Sequence, residues 1–193
     1  MNISTREEWL TWAAEALRTG VFVDQKNMDH TKVRFSSGFP LGSRGSAKHL
    51  GQCLDPSVSK TGLTEIYISP TVSDSEEVLG ILHHELIHEY LGLEEGHGKK
   101  FIDLARQTGL EGPASQTTPG QSVREQYKEI IKSLGDYPHS EIKLPPYGSK
   151  GSLLRKVWCT DCGYTARVTD KWLRLYGPPL CPMHTSTMKL EEK

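Results

Sequence analysis

One stretch of this 193-residue chain constrains its fold more than any other: His84-Glu85-Leu86-Ile87-His88, set inside the apolar run from Val78 to Leu93. On a helix, two histidines four positions apart differ by about 40° in direction and ~6 Å in height, so both imidazoles can meet one metal ion. Zinc is the ion this pattern predicts. Glu85 lies about 100° round the axis, beside the metal face, where it can take a proton from a water held at the ion and pass it to a leaving group. That is the chemistry of hydrolysis. Five-residue matches of this kind also arise by chance, and then the histidines of a buried helix merely hydrogen-bond, so the surroundings have to decide.

The surroundings agree with the metal reading. Ser73 and Glu76 offer a capping box, and the helix runs to Leu91 with Gly92 as its stop. Val78, Leu79, Leu82 and Leu86 face the core while Ile81, Ile87 and Leu91 flank the ligands, so the helix is apolar nearly all round and therefore buried. His83 points away from the 84/88 face and reads as a surface histidine or as one that hydrogen-bonds behind the ligands. A third ligand is expected from a separate element. His97 lies nine residues beyond His88, after Gly92 and a turn through Glu94-Glu95-Gly96, so the chain can double back. Three protein ligands leave a fourth position open, which marks a catalytic rather than a closed site. The metzincin continuation is excluded, because Leu91 and Glu94 stand where its glycine and histidine belong. A carboxylate third ligand would fall to Glu94, Glu95 or Asp103, but His97 between two glycines is the better placed donor.

His84-Glu85-Leu86-Ile87-His88 followed by Gly96-His97-Gly98-Lys99-Lys100-Phe101 resembles the SprT-like metalloprotease family, which includes the DNA-dependent protease Spartan. Gly51-Gln52-Cys53 and Glu65-Ile66-Tyr67-Ile68-Ser69 resemble it too, and the similarity spans about residues 30 to 110. It implies zinc on His84, His88 and His97, Glu85 as catalytic base, and an α+β zincin-like domain with a small sheet packed on the motif helix. It further implies substrates that are proteins on, or crosslinked to, DNA. By the same resemblance the strand Ile66 to Ser69 is expected to present a free edge to which an extended substrate adds.

Length suits one medium domain plus a small appendage. Hydrophobic content of 36% and charged content of 24% are those of a globular chain, and no apolar run approaches the ~20 residues needed to cross a bilayer. No membrane partner is expected. The opening residues are acidic and polar rather than a signal pattern, which makes the cytoplasm the expected compartment, nucleoid-associated or, in a eukaryote, nuclear. The near-neutral total conceals an asymmetry: residues 1–149 carry 15 Lys+Arg against 20 Asp+Glu, a net of −5, and residues 150–193 carry 8 against 4, a net of +4. The positive end suggests a nucleic-acid partner.

Elsewhere the pattern predicts an N-terminal helix with Ser4 and Glu7 as a capping box and Trp9, Trp12, Ala13, Ala16 and Leu17 as its packing stripe. Lys32 to Phe35, Leu50 to Leu54 and Thr64 to Ser69 read as strands. Gly38 to Gly45, containing Arg44, reads as a glycine-rich loop without a phosphate-loop lysine. Pro56 to Gly62 is a turn or hairpin loop, and Cys53 a buried thiol. Gly98 to Thr108 is a helix with Phe101, Ile102 and Ala105 packing, Glu111 to Gly120 a polar loop, and Ser122 to Leu134 another helix. Pro138, Pro145, Pro146 and Gly148-Ser149-Lys150-Gly151-Ser152 mark a linker. The domains are therefore expected at 1–149 and 150–193.

The second domain carries Cys159-Thr160-Asp161-Cys162 and, further on, Cys181-Pro182-Met183-His184. Two such knuckles joined by a hairpin, Tyr164 to Val168 and Trp172 to Tyr176, predict a zinc ribbon with three thiolates and one imidazole. With four positions filled, this second zinc is structural, and a unit so small needs it to fold. By the resemblance the ribbon is the docking module for single-stranded or damaged DNA: Arg155, Lys156, Arg167, Lys171 and Arg174 can meet phosphates, and Trp158, Trp172 and Tyr176 can stack on unpaired bases, the alternative for each being a solvated charge or a place in the ribbon's hydrophobic core. The reading is thus a zinc endopeptidase with a DNA-docking ribbon. Its rivals are a non-catalytic nucleic-acid-binding protein that uses the first domain as a scaffold, which the intact Glu85 argues against, and a protease of free proteins.

Overall fold

The computed structural model describes residues 3–24, 32–41, 49–143 and 154–191. The chain divides into two compact units, Met1–Pro145 and Pro146–Lys193. Part of the glycine-rich loop with Arg44, and the Gly148 to Ser152 run, lie outside the described residues.

The larger unit is α+β. Helix α1 (Arg6–Gly20) begins at Thr5, whose side chain accepts from the Glu8 N–H, one residue later than the expected Ser4/Glu7 box. Its buried face is Trp9, Leu10, Ala13, Ala14 and Leu17, whereas Trp12 is 41% exposed. The expected stripe is therefore rotated: spacing allows a face on either side of 9, 13 and 17, and docking of α1 on the sheet and on two other helices selects the 10/14 side. The indole N–H of Trp9 donates to the Gly135 carbonyl at 2.9 Å, and its ring meets Tyr137 edge-on.

Strands β1 (Val33–Ser37), β2 (Gly51–Leu54) and β3 (Thr64–Ile68) form one sheet in the order β1-β3-β2. β1 runs parallel to β3 and β2 antiparallel to it. This corrects the expectation of a free edge at Ile66 to Ser69: β3 is the central strand, with partners on both sides, and β2 is the edge on the motif-helix side. The Leu54 to Thr64 connection closes the β2–β3 hairpin through a short 3-10 turn, Pro56–Val58.

Helix α2 (Ser75–Leu91) packs under this sheet, with Val78, Leu79, Leu82, Leu86 and Ile87 buried. Asp74, not Ser73, caps it, accepting from the Glu77 N–H, and Gly92 ends it at φ 84°, in the left-handed region that glycine adopts without strain. α3 (Lys99–Gln107) follows a 3-10 turn. The expected loop at 111–120 contains a small antiparallel pair, β4 (Leu110–Glu111) with β5 (Thr118–Pro119), and α4 (Gln121–Leu134) closes the core through Val123 and Tyr127. No helix among the described residues is long and apolar enough to cross a membrane.

The smaller unit is a three-stranded antiparallel sheet, β6 (Leu154–Trp158) between β7 (Thr165–Thr169) and β8 (Lys189–Leu190). Its core is Val157, Cys159, Cys181 and Met188. The expected second hairpin arm at Trp172 to Tyr176 is instead a helix, α5 (Asp170–Tyr176), with Thr169 as N-cap and Gly177 as stop. A capping threonine, helix-forming Lys, Leu and Arg, and a terminal glycine outweigh the aromatic content that suggested a strand. The hairpin is formed by β6 and β7, around the first cysteine pair.

Candidate metal centres

His84 and His88 project from α2 toward one point, and the chain after Gly92 brings His97 to the same point. Gly96, at φ 53°, turns the backbone just before it, and α3 begins just after. The Nε2 atoms of His84 and His97 lie 3.1 Å apart and those of His88 and His97 3.2 Å apart. Tetrahedral ligation at Zn–N ~2.0–2.1 Å places nitrogens ~3.3–3.4 Å apart, so the set fits such an ion. The three ligand nitrogens all lie within 4.8 Å of one another.

Phe101, fully buried on α3, supports the rings, its centroid 4.8, 4.6 and 5.0 Å from those of His84, His88 and His97. Burial, with His88 and His97 adding to it, pushes His84 down to about 3. Burial and His97 push His88 down to about 4, and burial lowers His97. All three are therefore neutral imidazoles at pH 7, the form that ligates metal.

Glu85 is buried against the edge strand, where the Cys53 N–H donates to its carboxylate. Burial raises it to about 8, against the pull of that hydrogen bond. It lines the same cleft as the three histidines, a cavity of about 660 Å³. One wall is Leu50 to Cys53 of the edge strand and the other Ser115 to Pro119, with the 77-to-88 face of α2 as its floor. Glu94, Glu95 and Asp103 are not among the grouped metal donors, and Glu95 and Asp103 pair instead with Lys100 and Lys99.

One neighbour of the site was not signalled by the sequence motif. Thr117, from the segment read as a polar loop, places Oγ1 2.8 Å from His84 Nδ1. His83, expected at the surface or behind the ligands, is fully buried, with Thr108 at the end of α3 and Tyr127 of α4 as its partners. Its Nε2 lies 2.8 Å from Thr108 Oγ1, whose hydroxyl donates to the Leu104 carbonyl, so Thr108 accepts from the imidazole N–H. Nδ1 then accepts from the Tyr127 hydroxyl at 2.7 Å. Burial holds His83 down to about 3, and every polar atom of the network is paired.

In the smaller unit Cys159, Cys162, Cys181 and His184 form the second group, ligand atoms again within 4.8 Å. Cys162 and Cys181 sulfurs are 3.7 Å apart, and His184 Nδ1 is 3.8 Å from Cys159 and 3.7 Å from Cys181. Tetrahedral Zn–S bonds of ~2.3 Å space sulfurs ~3.8 Å apart, so this set also fits. The two knuckles share one turn. Gly163 N–H donates to the Cys159 carbonyl as Thr185 N–H donates to that of Cys181, and Cys159 and Cys181 N–H groups donate to Tyr164 and Ser186 carbonyls. His184 therefore occupies the position of Cys162. Burial would raise the Cys181 thiol, but the backbone N–H groups of His184 and Met183 and the His184 ring hold it down at about 6.

The basic and aromatic residues of this unit divide between two faces. Cross-strand partners share a face, which puts Lys156 with Arg167 and Trp158 with Lys189 on the side away from buried Val157. Trp172 and Tyr176 stack on α5, centroids 5.8 Å apart, with Lys171 over the Trp172 ring. Arg155 pairs with Asp170 and Lys156 with Glu191, while Arg174 donates to the Asp170 carbonyl. Comparison of the chain with family models, with curated proteins and with solved structures found no match.

Proposed function

We propose that the chain is a zinc-dependent endopeptidase of zincin-like architecture. The observation that carries this reading is the convergence of His84, His88 and His97 beside Glu85 in an open cleft bordered by an edge strand. A zinc ion held there supplies a Lewis acid that polarises a carbonyl and makes water more acidic. The chain's own residues do the rest. An extended polypeptide adds to the outer edge of β2, which pairs with no strand among the described residues, and so lays its backbone across the histidines. Glu85 accepts a proton from the attacking water as the new C–O bond forms, then delivers it to the amide nitrogen as the C–N bond breaks. Burial raises the proton affinity of its carboxyl, which favours holding the proton between the two transfers, while the charge of a zinc ion would favour the ionised form that accepts it.

The substrates we infer are proteins associated with or crosslinked to DNA, with the smaller unit as docking module. Residues 150–193 carry a net of +4. The sheet face with Lys156, Arg167, Lys189 and half-exposed Trp158 combines cations with a stacking surface, the chemistry of single-strand binding. The test is cleavage of a DNA-binding protein by the full chain with and without single-stranded DNA, with Glu85→Gln as control. DNA-stimulated cleavage lost in Glu85→Gln supports the whole reading. Cleavage indifferent to DNA assigns free proteins as substrates, and DNA binding without any cleavage assigns a non-catalytic binder.

A further inference from the structure

The segment from Thr117 to Arg124 runs along one stripe of α2, and its contacts are in register with the helix. Arg124 pairs with Glu76. The Pro119 ring lies over Gly80, where an added Cβ would sit in ordinary contact at 3.4 Å. Thr117 reaches His84. The helix positions 76, 80 and 84 are each one turn apart, ~6 Å per step, and positions 117 and 119 of an extended segment are ~6.6 Å apart. The strand period therefore matches the helix period over this contact. Arg124 also donates to the Pro119 carbonyl at 3.1 Å, and the Gly120 N–H to the Gly109 carbonyl at 2.8 Å, which hold the segment to the following helix and to the end of α3.

From this register we infer that Thr117 is a positioning residue for His84: its hydroxyl accepts the Nδ1–H and so fixes both the ring orientation and the tautomer that leaves Nε2 free for metal. The inference rests on the metal reading of the three histidines, but not on the peptidase reading. An imidazole hydrogen-bonded at one nitrogen presents its lone pair at the other, and such partners typically contribute 10–100-fold to metal affinity. Among the described residues Thr117 is the hydrogen-bond partner of that nitrogen, whereas Phe101 restrains all three rings only by packing. Threonine supplies this acceptor on a short side chain whose backbone is anchored on its C-terminal side, by Pro119 over Gly80 and beyond it by the Glu76–Arg124 pair.

The experiment compares Thr117→Val, which keeps the shape and removes the hydroxyl, with Thr117→Ser, which keeps the hydroxyl and removes a methyl. Two readouts on the full chain are used, neither of them activity. Competition between the chelator-accessible site and a zinc indicator gives the affinity of the histidine set, with the ribbon ligands left loaded. Long-range ¹H–¹⁵N spectra of the metal-free histidine set report which ring nitrogen of His84 carries the proton. The expected result is a 10–100-fold loss of zinc affinity in Thr117→Val with near wild-type affinity in Thr117→Ser, and a His84 proton on Nδ1 in wild type and Thr117→Ser but distributed between both nitrogens in Thr117→Val. Equal affinity of Thr117→Val and wild type overturns the proposal, and so does equal loss in both variants, which would make the contribution packing. A wild-type chain whose histidines take up no zinc overturns it together with the metal reading. Zinc uptake with the expected variant pattern but no peptide cleavage leaves the positioning role standing and removes the peptidase.

Discussion

Gly51 lies against Glu85 so closely that a Cβ built on it would sit 2.5 Å from the carboxylate Oε1. It would also come within 2.5 Å of Ile81 Cγ2, on the preceding turn of the same helix. The edge strand and the proposed base are thus in direct backbone-to-side-chain contact, and only glycine allows it.

Gly51→Ala is expected to displace the Glu85 carboxyl or lift β2 off α2. Overpacking of this kind costs ~1–3 kcal/mol. Hydrolysis should fall at least ~10-fold while both metal sites stay loaded. Elemental analysis alongside turnover checks it, and a fully active Gly51→Ala protein would mean that the strand yields without disturbing the base.

With the histidine set metal-free, Glu85 makes stability pH-dependent. Its folded-state value, raised by burial to about 8, exceeds the ordinary glutamate value of 4.5, so the folded chain binds the extra proton between those limits. The stability of wild type relative to Glu85→Gln should therefore be greatest below pH 4.5, decline as pH rises through about 8, and level off above it. Denaturant titrations of the two metal-free proteins at several pH values measure this difference, and a flat or rising difference contradicts it.

Tyr127→Phe removes the donor to His83 Nδ1 and leaves a buried acceptor unpaired. The expected cost is ~1–3 kcal/mol of stability, with zinc content unchanged because His83 faces away from the metal set. Chemical denaturation of the zinc-loaded protein reports it. Loss of zinc at wild-type stability would instead tie this network to the metal.

Thr185 adopts φ 52° in the turn where the first knuckle has Gly163 at φ 73°. A non-glycine residue there carries a penalty on the order of 1 kcal/mol, so Thr185→Gly should stabilise the smaller unit by about that amount and Gly163→Thr should destabilise it comparably. Because folding of so small a unit is coupled to its metal, zinc competition measures both. A Thr185→Gly protein that binds zinc more weakly would show that the threonine side chain holds the turn.

The sequence by itself determined what chain geometry carries over a few residues. The four-residue spacing of His84 and His88 puts them on one side of any helix, glycines around His97 let the chain reverse, and the CxxC and CxxH spacings give two like turns. The apolar circumference of α2 required burial whatever covered it. Only the tertiary structure decided which surface did the covering. The period of α1 was legible, but the choice of Leu10 and Ala14 over Trp12 and Ala16 depends on where the sheet and α4 stand. That β3 is central and β2 the edge follows from β1 pairing parallel on the far side of β3, a contact between strands about thirty residues apart that no local signal encodes. Thr117 reaches His84 across 33 residues of sequence because a six-ångström helix turn and two strand residues are the same length, and that match exists only once the two are packed together. Local spacing is set by covalent geometry; edge, partner and face are set by which surfaces the whole core excludes from water.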